Sequence, residues 1–269
     1  MKIGITGIRG KMARALALEI INNNLFDISG ALVRQGYDEV GMDIGDFLGL
    51  DKKTNSLITD DIEKLFQESD AIIDFSSPEL TMKSARIASK MGKTLISGTT
   101  GLNEEEKEEL VKLSNSCVII HSDNMSIGIN LLCNLIEEAS SILRQEYDTE
   151  ILDINARNKN EYPSNTSLML GKSVADGKNL NFGEISRKNR GCNEDTVREN
   201  NEIGFASMRC GDILGDYMVL FAGNGERLEL TQRTASPMAF VKGAIRATIW
   251  SSGRKFGLYN MRDVLRIEK

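Results

Sequence analysis

Two glycines near the start of the chain have the spacing of a phosphate-binding turn. Gly7 and Gly10 lie in "GITGIRGKMARAL", between an apolar run and an amphipathic segment. Glycine lets a pyrophosphate approach the backbone, and the N-terminus of the following helix offers free N–H groups to an anion. The pattern Gly7-x-x-Gly10-x-x-Ala13 is shorter than the six-residue dinucleotide fingerprint, so a plain turn between strand and helix is the alternative interpretation.

The end of the second predicted strand bears on the choice of dinucleotide. NAD-binding sites usually have an acidic residue there that accepts hydrogen bonds from the ribose, whereas this chain has Val33 and Arg34. A guanidinium pairs well with a phosphate. Arg34 is therefore predicted to contact the 2′-phosphate of NADPH, and a solvated surface arginine is the alternative.

The stretches "SGTTG" (97–101) and "HSDNMS" (121–126) each end a predicted strand with small polar residues. Ligands of open parallel sheets bind outside the carboxyl ends of the strands, so both stretches are predicted to face a cofactor crevice. Loops of this kind favour such residues in any case. His121, the single histidine of the chain, is interpreted as a strand-end residue with a local hydrogen bond, with catalysis as its alternative role.

The stretch "DINARNKNEYPSNTS" (153–167) is a third candidate, because it crowds amide, hydroxyl and basic groups between two apolar runs. It contains no histidine. Three interpretations are open: a substrate-binding loop, a catalytic loop that has lost a part, and an ordinary solvated turn.

The elements that must position these residues alternate through the first half of the chain. Hydrophobic periodicity and helix-end signals predict strands at 2–7, 28–33, 71–77, 94–101 and 117–122, and helices at 11–24, 78–92 and 103–116. Nearly all-apolar strands in repeated strand–helix units predict a parallel sheet covered on both faces. The first half is therefore expected to be a Rossmann-like, doubly wound α/β domain.

The second half has a different pattern, which predicts an α+β domain with a mixed, largely antiparallel sheet. Its predicted elements are helices at 126–144, 167–176 and 237–250, a strand at 148–155, and consecutive antiparallel strands at 203–212, 215–224 and 226–234. The polar region 178–202 predicts a mobile or irregular connection. We expect one domain over 1–126, completed by 237–269, and a second over 127–236.

Composition excludes several classes of protein. A net charge of −6 over 269 residues argues against nucleic-acid and anionic-membrane partners, and no apolar run approaches the ~20 residues that span a bilayer. The start enters a strand directly, so no signal peptide is expected. Scattered cysteines at 117, 133, 192 and 210 predict reduced thiols in the cytoplasm. A single histidine excludes a zinc site built on several histidines, and no metal is predicted.

Taken in order, these pieces resemble the bacterial dihydrodipicolinate reductases (4-hydroxy-tetrahydrodipicolinate reductases) nearly from end to end. The resemblance rests on "GITGIRGKMARAL", "AIIDFSSPE", "GTTG", "DNMSIGIN", "NKNEYPSNTSLMLG", "IGFASMRCGDILGD", "GERLELT" and "KFGLYNMRDVL". It implies NAD(P)H-dependent reduction of 4-hydroxy-tetrahydrodipicolinate, a cyclic imine dicarboxylate, to tetrahydrodipicolinate in diaminopimelate and lysine biosynthesis. It also implies a homotetramer built by the mixed sheet of the C-terminal, substrate-binding domain.

The resemblance assigns roles by position. The pyrophosphate contacts implied are Gly7, Ile8, Arg9, Gly10, Lys11 and Met12, and Arg34 lies by the adenosine ribose. The nicotinamide side is formed by Gly98, Thr99, Thr100, Ser122, Asp123, Asn124 and Met125. Lys159 stands at the catalytic lysine, Asn165 and Thr166 stand at the substrate carboxylate, and Ala156 and Lys159 also belong to the substrate-binding positions. NADPH is favoured over NADH because of Arg34.

The chain departs from the family pattern inside the loop. Paired histidines are replaced by Asn155 and Ala156, the first of them at the catalytic position, and Asn158 replaces a third. Asn165 replaces a glycine, and Gln232 replaces a histidine that the family commonly has further on. Losing a general acid–base group typically costs ~10²–10⁴-fold in rate. The alternatives are therefore a weak or inactive dinucleotide-binding homologue, and a related amino-acid-pathway dehydrogenase.

The residues that are kept can still support chemistry. Ser164 is a plausible N-cap of a helix whose free N–H groups would hold a carboxylate. Lys159 can pair with the same dicarboxylate and deliver a proton, whereas Asn155 can orient a partner but cannot exchange a proton near neutral pH. Arg209 and Asp212 are expected to support the loop or the subunit interface, or to pair as charges across strands.

Overall fold

The computed structural model describes residues 1–188 and 197–266. These residues form two compact units, the first comprising Met1–Ile127 with Met238–Lys269 and the second comprising Gly128–Pro237. Cys192 lies outside the described residues. No helix in the described ranges has both the length and the apolar character needed to cross a bilayer.

The first unit contains a parallel sheet that positions the predicted dinucleotide site. Its strands are β1 (Lys2–Thr6), β2 (Asp27–Leu32), β3 (Ile58–Thr59), β4 (Ala71–Asp74), β5 (Thr94–Ser97), β6 (Val118–His121) and β12 (Gly257–Tyr259). The order across the sheet is β3-β2-β1-β4-β5-β6-β12, with every neighbouring pair parallel. The strand order reverses direction beside β1, which confirms the predicted doubly wound, Rossmann-like fold.

Helices cover this sheet, so its strands are apolar on both faces. They are α1 (Lys11–Ile21), α2 (Ile44–Leu48), α3 (Ile62–Glu68), α4 (Pro78–Met91), α5 (Glu104–Leu113), α9 (Met238–Ser251) and α10 (Met261–Leu265), with a 3₁₀ turn at Ser114–Ser116. All four residues of β4 are buried, and Ile3 and Ile5 of β1 are fully buried. The strands therefore read as continuous apolar runs without alternation.

Sequence periodicity missed part of this unit. The segment 36–56, for which no helix or strand was predicted, contains α2, and the following residues contain β3 and α3. These elements are seven residues long or shorter, and periodicity is a weak signal over one or two turns. Their side-chain N-caps, Asp43 and Asp61, are the local signals that could have located them.

The second unit contains a mixed sheet with helices on one face. Its strands are β7 (Asp148–Asn155), β8 (Ser186–Arg187), β9 (Ile203–Arg209), β10 (Gly215–Ala222) and β11 (Arg227–Thr234), and its helices are α6 (Ile127–Leu143), α7 (Asn165–Lys178) and α8 (Phe182–Ile185). The strand order is β11-β10-β7-β9-β8. A core that includes Ile136 of α6, Leu170 of α7 and Val219 of β10 holds the helices to the sheet.

The predicted antiparallel pairing of 203–212 with 215–224 is wrong. Strand β9 pairs in parallel with β7, and β10 pairs antiparallel with the other edge of β7. Strand β7 buries alternate side chains, such as Ile151 and Asp153. A strand paired with either of its edges can therefore bury its own side chains on the same face of the sheet. The Gly-Asp turn signal is local and does not select the partner strand. The antiparallel pairing of β10 with β11 is confirmed.

The predicted irregular connection over 178–202 is also wrong in part. Helix α8 and strand β8 lie within it, and β8 pairs in parallel with β9. Asn181 caps α8 by accepting a hydrogen bond from the N–H of Gly183. Residues 189–196 lie outside the described residues. The few apolar residues of this region, such as Phe182 and Ile185, are too widely spaced among polar ones to give a periodic signal for such short elements.

Candidate active site

The glycine turn after β1 requires a residue without a side chain. Gly7 has a φ of +77°, and a Cβ at this position would lie 2.5 Å from the carbonyl oxygen of Phe75. The N–H of Gly10 donates a hydrogen bond of 2.8 Å to the carbonyl oxygen of Gly7, which closes the turn. The close approach of two backbones leaves a bare surface against which an elongated anion can lie.

Helix α1 begins at the end of this turn with its N–H groups unprotected by side chains. Gly10 is the N-cap and, within the described residues, no side chain caps the first turn. Lys11 and Met12, two of the predicted pyrophosphate contacts, are the first helical residues, and no acidic residue follows them in that turn. The combination of free N–H groups and the positive end of the helix dipole is suited to a phosphate.

A cleft of about 920 Å³ lies beside this turn, within the first unit. Its lining includes predicted contacts from two parts of the sequence, namely Gly7, Ile8, Arg9, Gly10 and Arg34. It also includes residues that sequence reasoning missed, among them Tyr37, Phe75, Ser76 and Lys83. The structure thus brings the glycine turn and Arg34 to one cavity.

Two arginines in this cleft have different surroundings. The guanidinium of Arg9 stacks 4.2 Å from the ring centre of Tyr37, and its Nε lies 3.5 Å from Oε1 of Glu39. Arg34 forms no ion pair or hydrogen bond with a residue that the structure describes, and it is exposed. Arg34 is therefore the guanidinium of the two that is available to an added phosphate.

A buried carboxylate organises the loops after three of the strands. Asp74, the last residue of β4, is fully buried. It accepts hydrogen bonds from five hydroxyl groups, those of Thr6, Ser76, Thr81, Ser97 and Thr99. Thr6 and Ser97 end β1 and β5, Ser76 and Thr99 lie in the loops after β4 and β5, and Thr81 lies in α4. One side chain therefore ties together the segments at this edge of the sheet.

The two predicted nicotinamide-side loops lie outside the lining of that cleft and have well-defined local contacts. In the first, a Cβ on Gly98 would collide with the ring of Phe75 at 2.2 Å, Thr99 is buried and Thr100 is exposed. In the second, Ser122 Oγ donates to the carbonyl oxygen of Asn124 at 3.0 Å, and the side chain of Asn124 accepts from the N–H of Ser126 at 2.9 Å. Asp123 is exposed and Met125 is buried.

His121 ends β6 in a largely buried position. Neither ring nitrogen has a hydrogen-bond partner of good geometry among the described residues, the backbone of Ser97 acts on the ring as a weaker local hydrogen-bond partner, and Nε2 lies 3.9 Å from Oδ1 of Asp123. Burial lowers the pKa of His121 below its ordinary value, while the charges of Asp123 and Asp74 oppose that shift. The neutral imidazole is therefore favoured in the folded protein.

In the second unit, the predicted carboxylate site is the N-terminus of α7. Ser164 is confirmed as the N-cap, and its Oγ accepts a hydrogen bond of 3.2 Å from the N–H of Ser167. Asn165 and Thr166 are the first two helical residues, and the first turn contains no acidic residue. The N–H of Ser164 donates to Asp153 at 3.0 Å, which fixes the chain as it enters the helix.

The residues at the predicted catalytic positions are in contact with each other. Asn155 is fully buried at the end of β7, with Ala156 in the turn that follows it. The Nδ2 of Asn155 donates to Oδ2 of Asp153 at 3.1 Å, and its Oδ1 accepts from Nζ of Lys159 at 3.4 Å. Burial lowers the pKa of Lys159, while the charges of Glu161 and Asp153 act in the opposite direction.

Arg209 supports this loop, which was one of the roles expected for it. Its guanidinium donates to Oδ1 of Asp153 at 3.2 Å and to the carbonyl oxygen of Lys159 at 3.3 Å, and it stacks 4.4 Å from the ring centre of Tyr162. Asp212, by contrast, contacts no described residue through a hydrogen bond or an ion pair. Arg209 on β9 and Asp153 on the neighbouring strand β7 form an ion pair, so the alternative of charge pairing across strands is confirmed for Arg209 as well.

Sequence reasoning missed two buried residues that complete this cluster. Asp153 accepts hydrogen bonds from Asn155, Ser164 and Arg209. Burial opposes its ionisation, and hydrogen bonds with Ser207, Ser164 and Arg209 lower its pKa. Tyr217 on β10 donates to Oδ1 of Asn155 at 3.3 Å. A charged residue inside the apolar run "ILDIN" was the available signal for Asp153. No local signal marks Tyr217, because its partners come from another strand.

Comparisons with known proteins give a consistent result. A family model described as "Dihydrodipicolinate reductase, N-terminus" matches residues 1–125, and one described as "Dihydrodipicolinate reductase, C-terminus" matches residues 128–265. A 4-hydroxy-tetrahydrodipicolinate reductase from Hahella chejuensis is 38% identical over 266 residues, covering 98% of each chain. A protein of the same name from Burkholderia multivorans is 39% identical over 267 residues, covering 98% of this chain and 99% of its own.

Solved structures show the same fold. A dipicolinate-bound dihydrodipicolinate reductase from Paenisporosarcina sp. superposes with a TM-score of 0.74 at 18% identity, covering 97% of each chain. An amine dehydrogenase from Mycobacterium smegmatis superposes with a TM-score of 0.62 at 13% identity, covering 97% of this chain and 95% of its own. At such identities these likenesses establish the architecture and leave the reaction to the site.

Proposed function

The chain belongs to the dihydrodipicolinate reductase family, and from that membership we propose that it catalyses NAD(P)H-dependent reduction of 4-hydroxy-tetrahydrodipicolinate to tetrahydrodipicolinate. Family membership makes the chain an oxidoreductase. The substrate, the catalytic residues and the place in diaminopimelate and lysine biosynthesis are the proposed parts. One observation carries the proposal. Lys159 donates a hydrogen bond to the buried amide of Asn155, and the same polar segment leads into α7, whose first turn contains no acidic residue.

The first unit fits a dinucleotide. The position at Gly7 has no room for a Cβ, and the N–H groups at the start of α1 have no side-chain cap within the described residues. Both features favour a pyrophosphate on the backbone. When bound, reduced nicotinamide supplies a hydride. The unengaged guanidinium of Arg34 supports preference for NADPH over NADH, because a 2′-phosphate would give it a partner.

The second unit supports binding of a dicarboxylate. The N–H groups of Asn165 and Thr166 lie at the positive end of α7. The helix dipole alone stabilises a carboxylate at such a position by about 0.3–1 kcal/mol. Lys159 adds a positive charge that can pair with a second carboxylate. Asn165 is accommodated where the family has glycine, because it sits at the first helical position with ordinary helical geometry.

Lys159 is the proposed proton donor. Burial lowers the pKa of its ammonium group, which makes that group a better acid than an exposed lysine. Conversion of 4-hydroxy-tetrahydrodipicolinate to tetrahydrodipicolinate takes up one hydride and one proton and releases the 4-hydroxyl group as water. The ammonium Nζ can provide the proton and be reprotonated by solvent. Asn155 holds no exchangeable proton near neutral pH, so its proposed role is to position the lysine and not to replace an imidazole in proton transfer.

The outward face of the second sheet supports the proposed homotetramer. On β7 and β10, alternate residues point away from α6 and α7, and Leu152, Ile154, Met218 and Leu220 are half-buried on that face. Met208 of β9 is 51% exposed beside them. Apolar residues on an uncovered sheet face are typical of an interface between subunits. Cys117, Cys133 and Cys210 are not joined by a disulfide among the described residues, which supports a cytoplasmic location.

The proposed function is tested by following NADPH oxidation with freshly generated substrate. Wild type is expected to turn over, and Lys159→Ala is expected to lower kcat by about 10²–10⁴-fold, as loss of a general acid typically does. Binding of NADPH, measured by fluorescence titration, should not change, since Lys159 belongs to the second unit. Lys172→Ala, an exposed lysine on α7, is the matched control and should retain wild-type rates.

Two outcomes count against parts of the proposal. Absence of turnover by wild type, together with normal NADPH binding, would replace the reductase with a dinucleotide-binding homologue. Wild-type kcat in Lys159→Ala would remove Lys159 from proton transfer while leaving the reaction in place.

A further inference from the structure

Tyr217 occupies a buried position directly beside the predicted catalytic residues. It is 5% exposed and lies on β10 opposite Asp153 of β7. Because cross-strand partners share a face, its ring lies on the same inner face as Asp153 and Asn155. Its hydroxyl reaches diagonally along β7 and donates to Oδ1 of Asn155 at 3.3 Å.

A glycine makes this diagonal reach feasible. Gly215 precedes Tyr217 by two residues on the same face of β10, and a Cβ there would lie 2.7 Å from both Oη and Cε2 of Tyr217. Any other residue at 215 would occupy the space that the tyrosine ring fills. The absence of a side chain at Gly215 therefore lets the phenol lean toward the end of β7, where Asn155 is located.

The orientation of the Asn155 amide follows from its partners. Asp153 is an ionised carboxylate and can only accept, so Nδ2 of Asn155 must face it, at 3.1 Å. The carbonyl oxygen of the amide then faces the opposite way, toward the donors Tyr217 and Lys159. One amide oxygen thus receives a neutral O–H and an ammonium N–H.

Among the residues that the structure describes, no carboxylate lies close enough to Lys159 to hold it in place. The nearest acidic oxygen in an ion pair with it is Oε2 of Glu161 at 3.9 Å, on a half-exposed side chain. The other charged groups that influence it are Asp153 and Arg209, whose effects on its pKa have opposite signs. The Asn155 oxygen, at 3.4 Å from Nζ, is therefore its defined hydrogen-bond contact.

We propose that Tyr217 is a positioning residue for Lys159, acting through the Asn155 amide whose orientation Asp153 fixes. This inference rests on the proposed function, because it concerns the proton donor of that reaction. Tyr217 itself donates no proton to substrate. It clamps Asn155 from the side of β10, so that the amide oxygen stays in reach of the ammonium group. The family's imidazole is thus replaced by a tyrosine–asparagine–lysine arrangement.

The phenol is suited to this fixed role. Burial raises the pKa of Tyr217, and hydrogen bonds involving Thr166 and Ser164 oppose the rise. A phenol with a raised pKa stays protonated over the working range and is a constant donor. Thr166 and Ser164 belong to the start of α7, so the same ring also adjoins the predicted carboxylate site.

A double-mutant cycle on kcat tests the coupling. Tyr217→Phe removes only the hydroxyl, and we expect kcat to fall about three- to tenfold, the equivalent of one lost hydrogen bond, with little change in the KM for NADPH. In the Asn155→Ala background, the same substitution should change kcat by less than about twofold, because the intermediary is gone. Should Asn155→Ala not fold, Lys159→Ala takes its place in the cycle.

Tyr147→Phe is the matched control. The hydroxyl of Tyr147 forms a hydrogen bond with Glu226 elsewhere in this unit, so this variant should keep wild-type kcat.

Titration of Lys159 supplies a readout that does not depend on turnover. The Nζ resonance, followed by NMR in the full chain without substrate, should titrate at lower pH in Tyr217→Phe than in wild type, because an unclamped amide stabilises the ammonium less. The Tyr147→Phe control should not shift it. An unchanged Lys159 titration in Tyr217→Phe, or an equal loss of kcat in both backgrounds of the cycle, would overturn the proposal. Absence of turnover by wild type would overturn the proposed function, and the titration alone would then decide the role of Tyr217.

Discussion

At the scale of single residues, the chemistry of this protein depends on groups that meet in space and not in sequence. Asn155 and Lys159 were recognised from one loop, but the residue that clamps Asn155 is 62 positions away, on another strand. Asp153 was overlooked although it lies only two residues before Asn155 on β7, because a pattern cannot show which polar residue faces inward. Candidate residues could thus be predicted from sequence, whereas the hydrogen bonds that assign their roles required the fold.

Arg34 determines a prediction about cofactor choice. We expect Arg34→Ala to weaken NADPH binding by about tenfold or more, as loss of a charge-assisted phosphate contact does, and to change NADH binding little. Isothermal titration with both cofactors measures this. Arg254→Ala removes an arginine that stacks on Trp250 in the same unit and should affect neither. Equal losses for NADPH and NADH in Arg34→Ala would contradict the phosphate contact.

His121 determines a prediction about pH. Its folded-state pKa is depressed, chiefly by burial, so the unfolded chain binds a proton more readily than the folded protein. The stabilisation is fully present above the unfolded pKa of about 6.5 and is lost as pH falls through that value toward the folded pKa. Because His121 is the single histidine, few other groups titrate in this window.

The measurement is the free energy of unfolding by urea at pH 7.5 and pH 5.5. Wild type should lose stability on acidification, and His121→Gln should lose less, since its side chain cannot be protonated. The same loss in both proteins would show that His121 does not contribute to the pH dependence.

At the scale of secondary-structure elements, long periodic segments were predictable and short or non-local ones were not. Helices α1, α4 and α6 were located from apolar spacing and end signals, because each exceeds two turns. Helix α2 was missed because it has five residues. The pairing of β9 was predicted wrongly, because turn chemistry is local and the partner is chosen by burial of a common face.

The turn between β1 and α1 provides the prediction at this scale. We expect Gly7→Ala to lower the free energy of unfolding by about 1–3 kcal/mol, since a non-glycine residue at positive φ is strained, and to abolish measurable dinucleotide binding, since its Cβ would displace the backbone of Phe75. Gly253→Ala is the matched control, because Gly253 has a φ of +74° and no atom lies within 4 Å of the position of the added Cβ. It should therefore show the strain without the loss of binding. Normal dinucleotide binding by Gly7→Ala would refute the proposed pyrophosphate site.

At the scale of the whole molecule, the proposed assembly accounts for a feature that a monomer leaves unexplained. The second sheet has helices on one face and half-exposed apolar residues on the other. Sequence alternation along β7 and β10 predicts two differently covered faces, but it cannot say what covers the second. A self-complementary interface between copies of this chain would cover it.

Met218→Glu is the corresponding prediction. A carboxylate introduced on the outward face of β10 would be buried without a partner in an assembly, so we expect the species to become smaller than the tetramer proposed for wild type. Sedimentation velocity measures the mass. Val111→Glu, on an exposed position of α5 in the first unit, should leave the assembly unchanged. A wild type that sediments as a monomer at micromolar concentration would contradict the assembly itself.

The most direct measurement of the central claim is a crystal structure of the chain with NADPH and dipicolinate. We predict one carboxylate of dipicolinate on the N–H groups of Asn165 and Thr166, and Nζ of Lys159 within hydrogen-bonding distance of the bound ligand. A structure that places dipicolinate away from the start of α7, with Lys159 directed into solvent, would contradict the account.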